Sequence, residues 1–190
     1  MNDLIYSAIL GPLVTMLVCF ATGSFMLREG GSSLTNRLFG IINLLIFLMA
    51  ATAICAYILP TTATYELAMV QMLAFFLPPV SLHLVQAKLE RPGRHIAWLY
   101  GLAGALALAS LLGLHVQPLF WLMSAAVLAA MLAIEYRALR HRQLVVDRNC
   151  LLGLDLILIL VLLSVSLDYP LTNLSFVIIP LVAYGLVQDL

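Results

Sequence analysis

The chain has 190 residues, of which 64% are hydrophobic and 9% charged, and its nine basic and nine acidic residues cancel to a formal net charge of zero. Its mean hydropathy is +1.10, whereas soluble domains carry roughly 25% charged residues, so the composition excludes a water-soluble globular fold and points to an integral membrane protein. At about 20 residues per crossing, several crossings use up the length. The expected fold class is all-α: one polytopic helical bundle over residues 1–190.

Seven apolar segments follow in chain order, at about 4–27, 38–59, 66–87, 95–114, 118–137, 150–167 and 172–188. The first follows Asp3, lacks a basic n-region and exceeds the 7–15-residue apolar stretch of a signal peptide, so it reads as a span rather than a cleaved leader. Bulky Val18 before Cys19 argues against a lipoprotein, and Cys19, Cys55 and Cys150 lack the spacing of a disulfide framework or thiolate metal site. The second segment carries Asn43. The third carries Gln71, Phe75, Phe76, Pro78, Pro79, Ser81 and His83. Proline lacks the N–H and clashes with the preceding turn, so a kink or opening is expected near Ala74 and Phe75.

Small residues dominate the fourth and fifth segments. Gly101, Ala105 and Ala109 recur at four-residue spacing, as do Ala125, Ala129 and Ala133. Close approach through small residues drives helix association in lipid, so an antiparallel hairpin joined by "HVQP" is expected. Glu135 ends the fifth segment, and Asp155 lies more than a turn inside the sixth. The seventh contains Pro180, which a membrane helix tolerates when neighbours re-satisfy the freed carbonyl.

The connections alternate in charge. "REGGSSLTNR", "KLERPGRH" and "YRALRHRQLVVDRN" hold all nine basic residues: Arg28, Arg37, Lys88, Arg91, Arg94, Arg137, Arg140, Arg142 and Arg148. "PTTATYE", "HVQP" and "DYPLTN" hold none. Because short loops rich in lysine and arginine stay in the cytoplasm, the expected orientation puts the N-terminus outside and the C-terminus inside, with the chain multi-pass in the cell inner membrane. An odd number of crossings agrees with that charge pattern.

Polar groups inside spans are costly and mark function by default. Asn43, His83, Glu135 and Asp155 fall toward the expected cytoplasmic side, and Gln71 and Gln117, the latter at the outer end of the fifth segment, toward the middle or outside. Asp155 either reaches back to an arginine such as Arg142 or Arg148, or faces inward and pairs with His83 as a proton-responsive or ligand-binding pair. His83 alternatively bonds a backbone carbonyl. Gln71, Phe75, Phe76 and Ser81 border the Pro78-Pro79 distortion, which makes the third span the expected wall of any pocket.

The stretch "FFLPPVSLHLVQAKLERPGR" combines an apolar third span, a double proline, a small polar residue, Leu-His and a basic turn. It resembles the third helix of the seven-helix N-terminal sensor regions of bacterial histidine kinases and related signalling proteins. The resemblance implies a membrane module that perceives an apolar or membrane-embedded signal and passes it to a cytoplasmic output. Such regions continue into a helical linker and a catalytic domain, and this chain ends at "LVQDL", where the linker would begin. Either a separate chain supplies the output or the likeness concerns the fold alone.

Enzyme chemistry is not expected, since no phosphate loop, dinucleotide fingerprint, HExxH or GxSxG occurs. The histidines lie at different depths, against a bis-imidazole haem site, and Lys88 sits on a turn, against a retinal Schiff base. No cofactor, metal or nucleic-acid partner is expected; the partners are membrane lipid and a protein in the membrane or at its cytoplasmic face. Besides the receptor-like reading, a non-catalytic subunit of a larger membrane complex fits the tiny loops and Ala-rich faces. A small-solute transporter subunit fits the kinked third span.

Overall fold

The computed structural model describes residues 2–29, 33–58, 72–89, 93, 95–140 and 159, and every regular element among them is a helix. These are α1 (Asn2–Glu29), α2 (Leu34–Ile58), α3 (Leu77–Lys88), α4 (Ile96–Leu111) and α5 (Gln117–Arg140). Three stretches, Ile9–Arg28, Leu34–Thr52 and Gln117–Ala138, are long and apolar enough to cross a membrane. Burial covers 33%, 39% and 33% of them respectively, so most of their apolar surface faces outward. Leu10, Leu17, Phe20, Phe25, Leu48, Leu108 and Leu122 are all exposed, a distribution that water would penalise and hydrocarbon would not.

The expected first, second and fifth segments thus appear as long helices. The fourth is helical over 16 residues, about 24 Å at 1.5 Å per residue, which falls short of a hydrocarbon core of about 30 Å. The sixth and seventh expected segments, apart from Ile159, lie outside the described residues, as do Gln71, Arg91, Arg94, Arg142, Arg148, Cys150 and Asp155.

The sequence between α1 and α2 is glycine- and serine-rich, and the Arg37 N–H donates to the Ser33 carbonyl at 3.2 Å to start α2. The two helices run antiparallel. Phe20 meets Phe47 with ring centroids 5.4 Å apart, and the backbones come closest where Gly23 meets Gly40.

α3 is the central element: α2, α4 and α5 all pack on it, whereas α4 and α5 do not pack along each other. Eight of its 12 residues are buried, as expected of a helix enclosed on nearly every side. Leu77, Leu84 and Val85 join Phe39 and Ile42 of α2, Ala103 and Leu106 of α4, and Phe120 and Met131 of α5 in one continuous core. The small-residue faces of the expected α4–α5 hairpin lie elsewhere. Gly101, Ala105, Ala125, Ala129 and Ala133 are exposed and Ala109 is half-buried; α4 turns Ala103, Leu106 and Ala107 inward instead. The physical reason is that α3 stands between the two helices and takes up the inner face of each.

Candidate functional site

The site begins with a broken helix. Met72–Ala74 are helical, Phe75 and Phe76 form a turn, and α3 restarts at Leu77. The Phe76 N–H donates to the Leu73 carbonyl, tightening the turn, and the Val80 N–H donates to the Phe76 carbonyl, both at 3.2 Å. Pro78 and Pro79 occupy the first turn of α3, where a missing N–H costs least. Their sequence consequence falls one turn back. The carbonyls of Ala74 and Phe75 would receive the N–H groups of residues 78 and 79 in a continuous helix, and proline has none to give. The distortion expected near Ala74 and Phe75 is therefore a gap in the helical hydrogen-bond ladder at Phe75 and Phe76, with Phe76 itself still in the right-handed helical region (φ −85°, ψ −17°).

A second terminator faces the first. α4 stops at Leu112 because Gly113 adopts φ +76°, a left-handed conformation that glycine takes without strain. The Gly113 N–H donates to the Ser110 carbonyl and the Leu114 N–H to the Ala109 carbonyl, both at 3.0 Å, which is the Schellman pattern of a helix end. Three residues later α5 begins at Gln117 with Pro118 in its first turn, and the Phe120 N–H donates to the Val116 carbonyl at 3.1 Å.

Between the two interruptions lies a cavity of about 110 Å³. Ala74 and Phe75 line it from the break, Ser110, Leu114, His115 and Val116 from the end of α4 and its turn, and Gln117 and Phe120 from α5. Exposed Leu114 and His115 stand at its mouth, and buried Ala74, Phe75, Val116 and Phe120 form its floor. Phe75 and Phe120 meet edge to face, with centroids 5.0 Å apart and planes at 77°. Among the described residues, its lining carries no lysine, arginine, aspartate or glutamate. A cavity of about 150 Å³ accommodates benzene, so this one suits a ligand of roughly four or five heavy atoms.

Further along α3, His83 and Tyr100 of α4 share a hydrogen bond, Nδ1 to Oη, at 3.3 Å. Their rings stand edge to face at 6.0 Å. Eight residues separate His83 from Phe75, about 12 Å along a helix axis. α3 and α4 run antiparallel, so the same pair of helices frames the cavity at one end and the His83–Tyr100 contact at the other.

Of the residues singled out in the sequence, Phe75 lines the cavity. Phe76 is half-buried in the turn, and Pro78, Pro79 and Ser81 are buried within α3. His83 finds Tyr100 rather than a backbone carbonyl, and its proposed partner Asp155 lies outside the described residues. Asn43 is buried and donates from Nδ2 to the Phe39 carbonyl at 3.0 Å, a local bond along α2 remote from the cavity lining. Glu135 is buried in α5. Sequence reasoning placed Gln117 at the outer end of the fifth segment without assigning it to a pocket, and missed Ser110, His115, Phe120 and Tyr100. A signal for Ser110 and His115 was present in "SLLGLHVQP", where a glycine stop and a proline start bracket a polar loop.

Among the described residues no three metal-ligating side chains converge. Compared with protein-family models, curated proteins and solved structures, the chain matches none of them.

Proposed function

We propose that this chain is a receptor-like membrane module that binds a small ligand in the cavity at the break of its third span and passes the change along α3 to a cytoplasmic protein partner. In this reading the chain crosses a bacterial inner membrane seven times, with the N-terminus outside and the C-terminus inside. Support for the membrane comes from the outward apolar faces of the three long helices, and support for the orientation from the confinement of every lysine and arginine to alternate connections.

One observation carries the sensory reading: Ala74 and Phe75, which wall the cavity, lead within two residues into α3, the helix on which α2, α4 and α5 pack. A ligand that favours one position of α3 must therefore repack its neighbours, and packed cores shift between discrete arrangements rather than deform continuously. The His83–Tyr100 bond lies on that path and offers a contact that such a shift would make or break.

Amide exchange on the full chain in lipid nanodiscs tests this. Ser110→Leu fills part of the cavity permanently, and exchange along Ser81–Leu89 should change while that of α1 does not. Identical exchange along α3 in both proteins would reduce the cavity to a packing gap. For the topology, tags on the two termini should react with a membrane-impermeant reagent from opposite sides; the same side for both would overturn the seven-span reading.

A second reading, a non-catalytic subunit of a larger membrane assembly, is favoured by the exposed Gly101, Ala105, Ala125, Ala129 and Ala133, since small residues permit close helix approach. Stable co-purification of the same partner helices in mild detergent would favour it.

A further inference from the structure

We propose, building on the receptor reading, that the ligand is a small organic cation: a protonated amine with a short alkyl chain. The chemistry of the cavity wall points there through its donors and acceptors. The start of α5 lines the cavity through Gln117 and that of α3 follows two residues after Phe75, and a helix start ordinarily offers free N–H groups to an anion. Here Pro78, Pro79 and Pro118 occupy those first turns, and each removes one such donor.

The same prolines create acceptors. Pro78 and Pro79 leave the carbonyls of Ala74 and Phe75 without their helical N–H partners, and both residues line the cavity. The C-terminal end of α4, where the helix dipole is negative, reaches it through Ser110 and Leu114. Interrupted membrane helices use such carbonyls to hold cations. Among the described residues no lysine or arginine lines the cavity, so none of them opposes a cation there.

The rest of the lining selects an organic cation over a bare ion. Phe75 and Phe120, which meet edge to face, put aromatic side chains in the wall, and an ammonium group is attracted to an aromatic face within about 6 Å. Val116, Leu114 and the two rings offer apolar contact to an alkyl chain. An inorganic ion would fill a small part of the 110 Å³ and leave that surface unused.

The experiment uses the full chain in nanodiscs. Trp98, 81% exposed, is replaced by Phe, so that Trp121, whose ring lies 6.1 Å from that of Phe120, becomes the sole tryptophan reporter. Butylammonium, uncharged butyramide, butyrate and sodium chloride are titrated separately. Saturable quenching or shift of Trp121 emission by butylammonium is expected at concentrations at least about tenfold below butyramide, a difference of about 1.4 kcal/mol, with no response to butyrate or to sodium. Pro78→Ala/Pro79→Ala, which restores two N–H donors, should weaken butylammonium by at least about tenfold and leave butyramide within a factor of about three. His115→Lys, at the exposed mouth, should weaken butylammonium alone and serves if the double variant fails to fold.

Equal affinity for butyramide and butylammonium, or a preference for butyrate, overturns the cation inference while the pocket stands. A saturable response to sodium alone overturns the organic part of it. Absence of any saturable response overturns the cation inference, and the receptor reading falls with it only if Ser110→Leu also leaves α3 exchange unchanged.

Discussion

α1–α2 and α4–α5 are both pairs of helices carrying glycine and alanine, and the two pairs use them in opposite ways. Between α1 and α2 the backbones nearly touch: a Cβ on Gly40 would stand 2.8 Å from Leu27 Cγ and 3.3 Å from the Gly23 carbonyl oxygen. A Cβ on Gly23 would stand 3.2 Å from both Asn43 Cβ and the Gly40 carbonyl oxygen. Around α4 nothing lies within 4 Å of a Cβ built on Gly101 or Gly104. In hydrocarbon, apolar side chains gain little by leaving lipid, so helices associate through fit. Glycine in a span shows that close approach is permitted; whether it happens depends on what the facing helix presents. α4 turns Ala103, Leu106 and Ala107 inward and leaves Gly101 and Ala105 outside, and the crowded crossing of glycines belongs to α1 and α2.

The largest effect should come from closing that crossing. Gly40→Leu has no volume available beside the Gly23 backbone, and overpacking of this kind costs about 3 kcal/mol or more; denaturant titration of the reconstituted chain should show it as an early loss of α1–α2 structure. Gly23→Ala should destabilise in the same direction by less, since its close contacts at 3.2 Å yield with a small shift. Next in size is Gly113→Ala. The position requires φ +76°, and a side chain there costs about 1–2 kcal/mol. It should also displace His115 and Gln117 and so weaken any ligand of the cavity, an effect that Gly40 variants should lack. If Gly113→Ala leaves both stability and binding unchanged, the helix stop does not position the site.

Tyr100→Phe probes the other region. It removes the hydroxyl that His83 meets at 3.3 Å and keeps the edge-to-face ring contact, so the loss should match an interhelical hydrogen bond in lipid, about 0.6 kcal/mol. His83→Ala removes both and should cost more. Equal stability for Tyr100→Phe and the natural chain would mean that the hydrogen bond adds nothing to the ring packing.

Much of the helical framework was readable because lipid imposes a simple rule on sequence, long apolar runs between charged or glycine-rich turns. α1, α2 and α5 obey it, and "REGGSS" and "LHVQP" mark their ends. The break in the third span was readable in Pro78-Pro79, since the missing N–H groups are a covalent fact. What the sequence did not disclose was who faces the break. His115 and Gln117 lie about 40 residues away in the chain from Phe75, and only the antiparallel packing of α4 on α3 brings them together. The attention given to His83 and Asn43 followed from depth in the span, yet burial of a polar group says only that it needs a partner. Asn43 found one within its own helix and His83 found one on α4. Neither partner is encoded by spacing from the charged turns.

The smallest expected effect has the opposite sign. Gly101→Ala places its Cβ in open space on a helix that α3 contacts from the other side, so no neighbour has to move. What remains is the helix preference for alanine over glycine, about 0.5 kcal/mol at the low end of the usual range. The single change should therefore raise stability slightly, whereas the chemically identical change at Gly23 lowers it. A thermal or denaturant comparison of the two variants in nanodiscs reads the sign directly. If Gly101→Ala destabilises the isolated chain as much as Gly23→Ala, then the exposed face of α4 is occupied by a helix of this chain or of a second copy, and dilution separates the two: a second copy makes the loss depend on the protein-to-lipid ratio, and an intrachain helix does not.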